Sequence, residues 1–366
     1  MGRLSSTAGN FSLTIAVTVY FTYLLVIFIF SAGVGRTGAY ILIDSMLKQM
    51  RAKGELNLVA YLKHIRTQRN YLVQTEEQYM FVHDALAEAV ASGETNINRS
   101  YLSRYINSLQ TSFTTDENSI PWQLLDRQFK LASAYRPPES QFVAALKPFN
   151  QSKNQNFDFL PIESARVSLV LKPGVEGSDY INASWLPGFN KLKEYIITQH
   201  PTDQTIPDFW QMLWDHNART VVVLSALQQP EFGIFWPRYQ RDIDLDSIRV
   251  KLLEESEMGG YQTKDFNLIS LHDDYELTVK LIFCPSWPHH CSPLATCTDL
   301  IRTVRGRSNG GPLVVVDRYG GTEAATFCGL ATLLRQLDFE SHVDVYQYAK
   351  VSHNRRPGIW KIQVRS

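Results

Sequence analysis

Apolar positions recur at helical spacing over residues 39–50, and this run ends at Gly54, so the pattern predicts an amphipathic helix over 37–53. The same period predicts two more helices, over 58–68 and 75–91, and the second of these opens with the capping box Thr75-Glu-Glu-Gln78. The following stretch is polar and rich in Ser, Thr and Asn, which predicts a connection with a short helix near 102–109.

Short apolar runs that are typical of strands dominate the second half of the chain. They lie at 166–171, 195–198, 220–224, 248–253, 277–283 and 313–316. Strands that alternate with helical segments predict the α/β class.

One long apolar segment lies near the N-terminus. Residues 11–30 carry no charged side chain, and a run of about 20 apolar residues is long enough to span a bilayer. Arg3 precedes it, as in a signal peptide or signal anchor. Arg36, Lys48, Arg51 and Lys53 follow it, so the rest of the chain is predicted to be cytoplasmic. The alternative is that its last third, LLVIFIF, is a buried strand.

A glycine-rich turn, Ser31-Ala-Gly-Val-Gly-Arg-Thr-Gly38, follows the apolar segment and precedes the first predicted helix. Loop N–H groups at a helix N-terminus form an anion-binding arrangement. The pattern recurs near the C-terminus, because residues 31–73 align without a gap on residues 318–360 at a constant offset of 287. This register predicts duplication of a whole domain. The identities in the alignment include Gly33 with Gly320, Leu47 with Leu334, Gln49 with Gln336, Lys63 with Lys350 and Arg69 with Arg356.

Several segments resemble protein tyrosine phosphatases. The glycine-rich turn resembles their phosphate loop, His-Cys-x-x-Gly-x-x-Arg-Ser/Thr-Gly, and residues 74–79 resemble the glutamine loop that orients the hydrolytic water. Residues 179–184 are similar to the family's DYINAS, 198–214 to its TQxP…DFW…W stretch, and Trp287-Pro-His289 to its Trp-Pro-Asp acid loop. Two copies indicate the receptor-type branch, and the second loop is most similar to gamma/zeta-type receptors and their insect relatives.

The resemblance implies a fold and a set of site residues. It implies a twisted mixed sheet flanked by helices in the second copy, with the phosphate cradle at the Val316 end of a strand, and a helical remnant of the first copy. In the first copy the catalytic positions Arg36, Gln74 and Gln78 persist, but Phe30 takes the place of the nucleophilic cysteine. The implied phosphate loop of this copy consists of Ser31, Ala32, Gly33, Val34, Gly35, Arg36, Thr37 and Gly38.

The second copy departs from the family at other positions. Asp317 takes the cysteine position, Glu323 the arginine position and His289 the position of the acid-loop aspartate. The recognition loop Lys-Asn-Arg-Tyr is replaced by Lys153-Asn-Gln-Asn156, so the tyrosine that stacks on phosphotyrosine is lost. Each carboxylate in the cradle would repel a phosphate by about 4 kcal/mol at 4 Å, at an effective dielectric constant of ~20. Because catalysis needs a thiolate, an arginine clamp and a proton donor, neither copy holds an intact catalytic set.

Composition excludes some other function classes. Lys plus Arg and Asp plus Glu are 36 each, so net charge gives no argument for nucleic-acid binding. The four cysteines are too sparse for a disulfide scaffold and fit a reducing compartment. We expect no cofactor and no metal, because the only candidate set lacks the paired CxxC of strong zinc sites. That set is Cys284, His289, His290, Cys291 and Cys297.

The predicted organisation has five segments: the hydrophobic segment 1–30, the first-copy remnant 31–92, a linker 93–124, the second copy 125–360 and a divergent tail 361–366. The favoured hypothesis is an inactive scaffold or regulatory pseudophosphatase at the membrane. Its partners would be phosphotyrosine or other signalling proteins, bound through the second copy, or the full-length receptor in a homo- or heterodimer. One alternative is an active phosphatase by family assignment. The other is a non-functional splice form or gene-model product, since both ends diverge abruptly from the family pattern.

Overall fold

The computed structural model describes residues 33–115, 120–224, 233–239, 241–258, 261–284, 287, 294–306 and 310–360. The predicted hydrophobic segment 1–30 and the tail 361–366 lie outside the described residues. The chain divides into two compact units, one formed by Met1–Thr95 and Ser103–Phe129, the other by Asn96–Leu102 and Lys130–Ser366. Among the described helices, none combines the length and the apolar character that a bilayer crossing requires.

Helices form all the regular structure of residues 33–95 in the first unit. They are α1 (Gly35–Lys53), α2 (Leu58–Gln68) and α3 (Glu76–Ser92), and they match the three predicted helices closely. Two further helices, α4 (Arg99–Thr115) and α5 (Ile120–Ala132), occupy much of the predicted linker. Leu42 and Met46 of α1 are buried together with Val82 and Leu86 of α3 in one apolar cluster. The amphipathic spacing therefore supplies the core of this unit.

Local sequence signals fix the ends of these helices. Gly54 ends α1 in the left-handed conformation, at φ 72°. The Asn57 side chain caps α2 by accepting a hydrogen bond from the N–H of Ala60. At the start of α3 the predicted capping box is present, with Thr75 and Gln78 each bonding the other's backbone N–H.

A nine-stranded mixed sheet forms the centre of the second unit. The strands are β2 (Arg166–Ser168), β3 (Tyr180–Leu186), β4 (Tyr195–Gln199), β5 (Thr220–Val223), β6 (Ile243–Asp244), β7 (Ile248–Met258), β8 (Tyr261–Ser270), β9 (Glu276–Phe283) and β10 (Leu313–Asp317). Their order in the sheet is β2-β3-β4-β10-β5-β9-β8-β7-β6. The central strands β4, β10, β5 and β9 are parallel, and the remaining pairs are antiparallel. A separate antiparallel pair joins β1 (Asn96–Asn98) to β11 (His342–Asp344).

The central strands β4, β5 and β10 are buried on both faces. Along β10, Val314 and Val316 lie in one apolar cluster while Val315 lies in a second one, as the two-residue period of a strand requires. The longer helices of this unit are α8 (Ile206–Asp215), α9 (Leu294–Gly306), α10 (Thr322–Glu340) and α11 (Val345–Arg355); the one-turn helices α6 (Val143–Leu146) and α7 (Pro148–Gln151) precede them. Helix α8 contributes to the first cluster, and α9 and α10 contribute to the second. The α/β fold with helices on both faces of a mixed sheet is therefore confirmed.

The two units contain helix pairs of matching length at the predicted offset. Helices α1 and α10 both have 19 residues, and α2 and α11 both have 11; each pair begins 287 positions apart. Details at the helix ends also match. Gly33 and Gly320 have φ values of 66° and 65°, and the side chain of Asp344 caps α11 as Asn57 caps α2.

Candidate functional site

Asp317 is the last residue of β10, and the loop that follows it folds back onto its side chain. Its Oδ1 accepts hydrogen bonds from the N–H groups of Tyr319 and Gly321, both at 2.9 Å. Its Oδ2 accepts from the N–H groups of Gly321 at 3.0 Å and Ala324 at 2.9 Å. Only 4% of Asp317 is exposed. The cradle predicted at the end of this strand is present, and a carboxylate of the chain itself lies inside it.

A fully buried guanidinium supports the same loop from the other side. Arg356 donates to the carbonyl of Gly320 at 2.6 Å and to that of Tyr319 at 3.1 Å. It also donates to Ser184 Oγ at 3.0 Å and to Asn182 Oδ1 at 2.7 Å, both on β3. Burial lowers the pKa of Arg356 to about 10, which leaves the group charged at neutral pH.

The predicted recognition segment Lys153-Asn-Gln-Asn156 is joined to the cradle through buried polar groups. Asn154 Oδ1 accepts hydrogen bonds from Tyr180 Oη at 2.6 Å and from Asn182 Nδ2 at 3.0 Å. Asn182 in turn accepts from Arg356, so one chain of hydrogen bonds runs from the recognition segment to the cradle loop. Burial raises the pKa of Tyr180, which therefore stays protonated and able to donate.

Lys153 anchors the start of this segment with a half-buried ion pair. Its Nζ lies 2.8 Å from Asp208 Oδ2, and the two side chains are 12% and 19% exposed. It also donates to the carbonyls of Gly177 and Tyr180. Burial raises the pKa of Asp208, and the hydrogen bond from Lys153 opposes that shift.

The end of β4 ties the recognition segment to the sheet. Gln199 accepts from the N–H of Gln155 at 3.1 Å and donates to the carbonyl of Lys153 at 2.7 Å. Phe159, just beyond this segment, stacks on Tyr319 of the cradle loop, with ring centroids 6.0 Å apart and planes within 9°. The edge formed by the carboxyl ends of β4 and β10 therefore carries both the recognition segment and the cradle.

Of the other predicted positions of the second copy, Glu323 and Trp287 are among the described residues. Glu323 lies in the first turn of α10, half-buried, where the family has its arginine. Trp287 is buried against Phe327, with ring centroids 5.3 Å apart. His289, together with His290 and Cys291 of the possible metal set, lies outside the described residues; Cys284 is buried and Cys297 half-buried.

The first unit keeps the N-terminal turn of α1 and the glutamine loop side by side. A Cβ on Gly35 would lie 2.6 Å from Gln78 Nε2, so the end of the Gln78 side chain packs directly against this glycine. Gln78 Oε1 accepts from the N–H of Gln74 at 2.7 Å. Arg36 is exposed. Of the predicted phosphate loop, Gly33 to Gly38 are described, whereas Ser31 and Ala32, like Phe30, lie outside the described residues.

Arg356 and Asn182 were not among the site residues expected from the sequence. A signal for each was present, because Arg356 is one of the identities in the internal alignment and Asn182 belongs to the DYINAS-like segment. The hydrogen-bond chain that joins them becomes evident only when β3 is placed beside β4.

The sequence of the chain is similar to those of known proteins. The family model described as protein-tyrosine phosphatase matches residues 26–88 and 150–363. The chain is 49% identical over 333 residues to tyrosine-protein phosphatase 99A of Drosophila melanogaster, covering 90% of the chain and 24% of that protein. It is 43% identical over 340 residues to receptor-type tyrosine-protein phosphatase zeta of Homo sapiens, covering 90% of the chain and 14% of that protein. The chain thus spans about a quarter or less of the length of these relatives.

Proposed function

Because the chain belongs to the receptor-type protein-tyrosine phosphatase family, we propose that its second unit is a pseudophosphatase domain with a scaffold or regulatory role. The observation that carries this proposal is the occupied cradle. Where the family uses a cysteine thiolate, Asp317 presents a carboxylate that already accepts from three backbone N–H groups. A carboxylate held in this way is oriented toward the loop and is a poor nucleophile toward phosphorus.

The neighbouring positions support the same proposal. Glu323 places an acidic group where the transition state of phosphoryl transfer needs an arginine clamp. In the first unit Arg36 persists, but Phe30 at the nucleophile position cannot form a phosphoenzyme. The two units, with their helix pairs at one constant offset, would then be tandem copies of one domain, neither with a complete catalytic set.

Turnover of p-nitrophenyl phosphate and of a phosphotyrosine peptide by the full chain tests the absence of catalysis. We expect no turnover above that of the heat-unfolded chain. A Phe30→Ser variant is the control for the first copy. Turnover by the wild-type chain would contradict the proposal, and its survival in the Phe30→Ser variant would favour the active phosphatase that the relatives' names indicate.

The proposed partners are signalling proteins, or a second receptor chain, bound at the surface of the second unit. An occupied cradle would contribute nothing to phosphate recognition. We therefore expect peptides of one sequence to bind the full chain equally well with and without a phosphate on tyrosine, measured by fluorescence anisotropy. A preference of tenfold or more for the phosphorylated peptide would contradict this part of the proposal.

We propose a membrane location with both units on the cytoplasmic side, supported by the apolar residues 11–30 and the basic residues that follow them. Alkaline carbonate extraction distinguishes insertion from peripheral attachment. The full chain should stay in the membrane pellet, and a Val19→Asp/Leu24→Asp variant should be released. Release of the unaltered chain would place residues 11–30 outside the bilayer.

A further inference from the structure

The cradle of the second unit is the loop at the end of β10, whose N–H groups bond the Asp317 carboxylate. We propose that the Asp317 carboxylate is an internal anion that occupies the phosphoryl-oxygen position of the cradle and so excludes an external oxyanion. This inference rests on the proposed pseudophosphatase role and extends it. The cradle would thus retain its N–H donors, and the Asp317 carboxylate would occupy them.

The loop keeps its hydrogen-bond donors. The N–H groups of Tyr319, Gly321 and Ala324 all converge on one carboxylate. Two of them lie at the N-terminus of α10, whose N-cap residue Gly321 has no side chain with which to satisfy them. Orphan N–H groups of this kind are what a phosphate at a helix N-terminus would accept from.

The Asp317 carboxylate is also buried within the loop. Asp317 is 4% exposed, so an external ion would have to displace a buried group that already makes charge-assisted hydrogen bonds. Gly320, at φ 65°, lets the loop pass close to Arg356, and a Cβ there would lie 2.7 Å from the guanidinium. The buried cation then sits directly behind the loop and favours an anion within it.

A competing explanation assigns the closure to charge repulsion by Glu323 alone. The two explanations differ in what a single substitution can do. If repulsion closes the cradle, Glu323→Arg should be sufficient to admit phosphate. If Asp317 fills the cradle, Glu323→Arg should leave phosphate binding unchanged, because the three N–H donors remain occupied.

The experiment measures binding of inorganic phosphate to the full chain by isothermal titration calorimetry and by the shift in thermal midpoint. The variants are Asp317→Ala, Glu323→Arg, the double variant Asp317→Ala/Glu323→Arg, and a charge-matched control, Asp338→Ala/Glu323→Arg, whose aspartate is exposed on the same helix. We expect the double variant to bind phosphate at least tenfold more tightly than the control. Asp317→Ala alone should gain a smaller amount.

Phosphate should also raise the thermal midpoint of the Asp317 variants and not that of the wild-type chain, because a ligand stabilises the state to which it binds. If Asp317→Ala does not fold, Asp317→Ser takes its place, since a serine hydroxyl can cap the helix, and the same order of affinities is required. Equal affinities in the double variant and its control would overturn the inference. So would phosphate binding by Glu323→Arg as tight as that of the double variant.

These outcomes are separate from the turnover assay. A chain without turnover whose cradle stays closed after Asp317 is removed would refute the internal anion and leave the pseudophosphatase proposal standing. Turnover by the wild-type chain would refute the pseudophosphatase proposal whatever phosphate binding shows.

Discussion

Replacing Arg356 by methionine tests whether the buried guanidinium holds the cradle loop. Methionine has similar length and no donor, so the substitution removes four hydrogen bonds at once and leaves their acceptors buried. Those acceptors are the carbonyls of Gly320 and Tyr319, Ser184 Oγ and Asn182 Oδ1. They belong to the loop and to β3, so the loss removes the hydrogen bonds that this side chain makes to both elements.

The expected magnitude follows from the burial. A hydrogen bond to a charged group contributes about 1.5–3 kcal/mol net, but such terms are not additive within one network. Each acceptor that is left buried without a donor costs about 1–3 kcal/mol. Arg356 is 0% exposed, so solvent does not compensate the acceptors that lose it. Because the four acceptors share one network, we expect Arg356→Met to lower the free energy of unfolding of the second unit by about 3–5 kcal/mol, less than the sum of four independent losses.

Urea unfolding followed by tryptophan fluorescence measures this loss. Six of the seven tryptophans lie in the second unit, so the signal reports mainly on that unit. Arg302→Met is the matched control. Its side chain is 74% exposed and makes a surface ion pair with Asp299, so its loss should cost less than about 1 kcal/mol.

An Arg356→Met midpoint equal to that of Arg302→Met would refute the reasoning, because it would mean that the four bonds contribute no net stability. If the free energy of unfolding falls and the dependence on urea concentration also changes, the substitution has altered the compactness of the native or the unfolded state.

Three further predictions concern the surroundings of the cradle. Lys153→Met should destabilise the second unit by about 2–3 kcal/mol because it leaves Asp208 buried without its cation; Lys153→Met/Asp208→Asn should recover part of the loss, and a double variant no more stable than the single one would argue against the pair. Gly320→Ala should cost more than Gly174→Ala in urea unfolding, since both have positive φ but a Cβ on Gly320 would lie 2.7 Å from a backbone carbon while one on Gly174 meets nothing within 4 Å; equal losses would contradict this. Burial lowers the pKa of His200 below 6.5, so the unfolded state binds more protons and stability should fall as the pH drops below 6.5; the fall should be shallower in His200→Gln, and identical slopes would show that this histidine is not responsible.

Local signals made the helices of the first unit predictable. Capping at Thr75 and Gln78 and the left-handed Gly54 lie within one turn of the helix ends that they define. Strands with both faces buried, such as 220–224 and 313–316, were predicted equally well because they are continuous β-branched runs. These features depend on neighbours in sequence, and they therefore need no knowledge of the tertiary structure.

Three strands of the nine-stranded sheet were not predicted. One of them, Ile243–Asp244, is only two residues long, and the other two were missed for different reasons. Every residue of Tyr180–Leu186 is buried, and the segment contains Asn and Ser where a strand pattern would require apolar residues. Their polar groups are satisfied by Asn154 and Arg356, which are far away in sequence. Tyr261–Ser270 carries two adjacent charged residues, Lys264 and Asp265, and is held by pairing with β7 and β9 on both sides. Tertiary pairing, rather than local propensity, makes both segments strands.

The role of Asp317 shows the same limit at the level of function. From sequence it was expected to repel phosphate from the cradle, together with Glu323. In the structure its oxygens lie on the N–H groups themselves, so the carboxylate competes for the donors instead of acting at a distance. Charge count cannot distinguish these two cases, because both place one negative charge in the loop. Only the direction of the side chain does.

The two arginines at equivalent positions of the internal repeat have different surroundings. Arg69 and Arg356 follow helices of equal length and occupy the same position in the repeat, yet Arg69 is exposed and Arg356 is fully buried. The difference lies in β3, whose Asn182 and Ser184 receive Arg356; in the described part of the first unit, no strand lies at the corresponding place. A shared loop motif therefore does not imply a shared site. The second unit keeps the strand that supports the loop and fills the loop with Asp317, so restoring phosphate binding there should require removal of that anion. The first unit keeps the clamp residue Arg36, and its sequence has Phe30 at the nucleophile position.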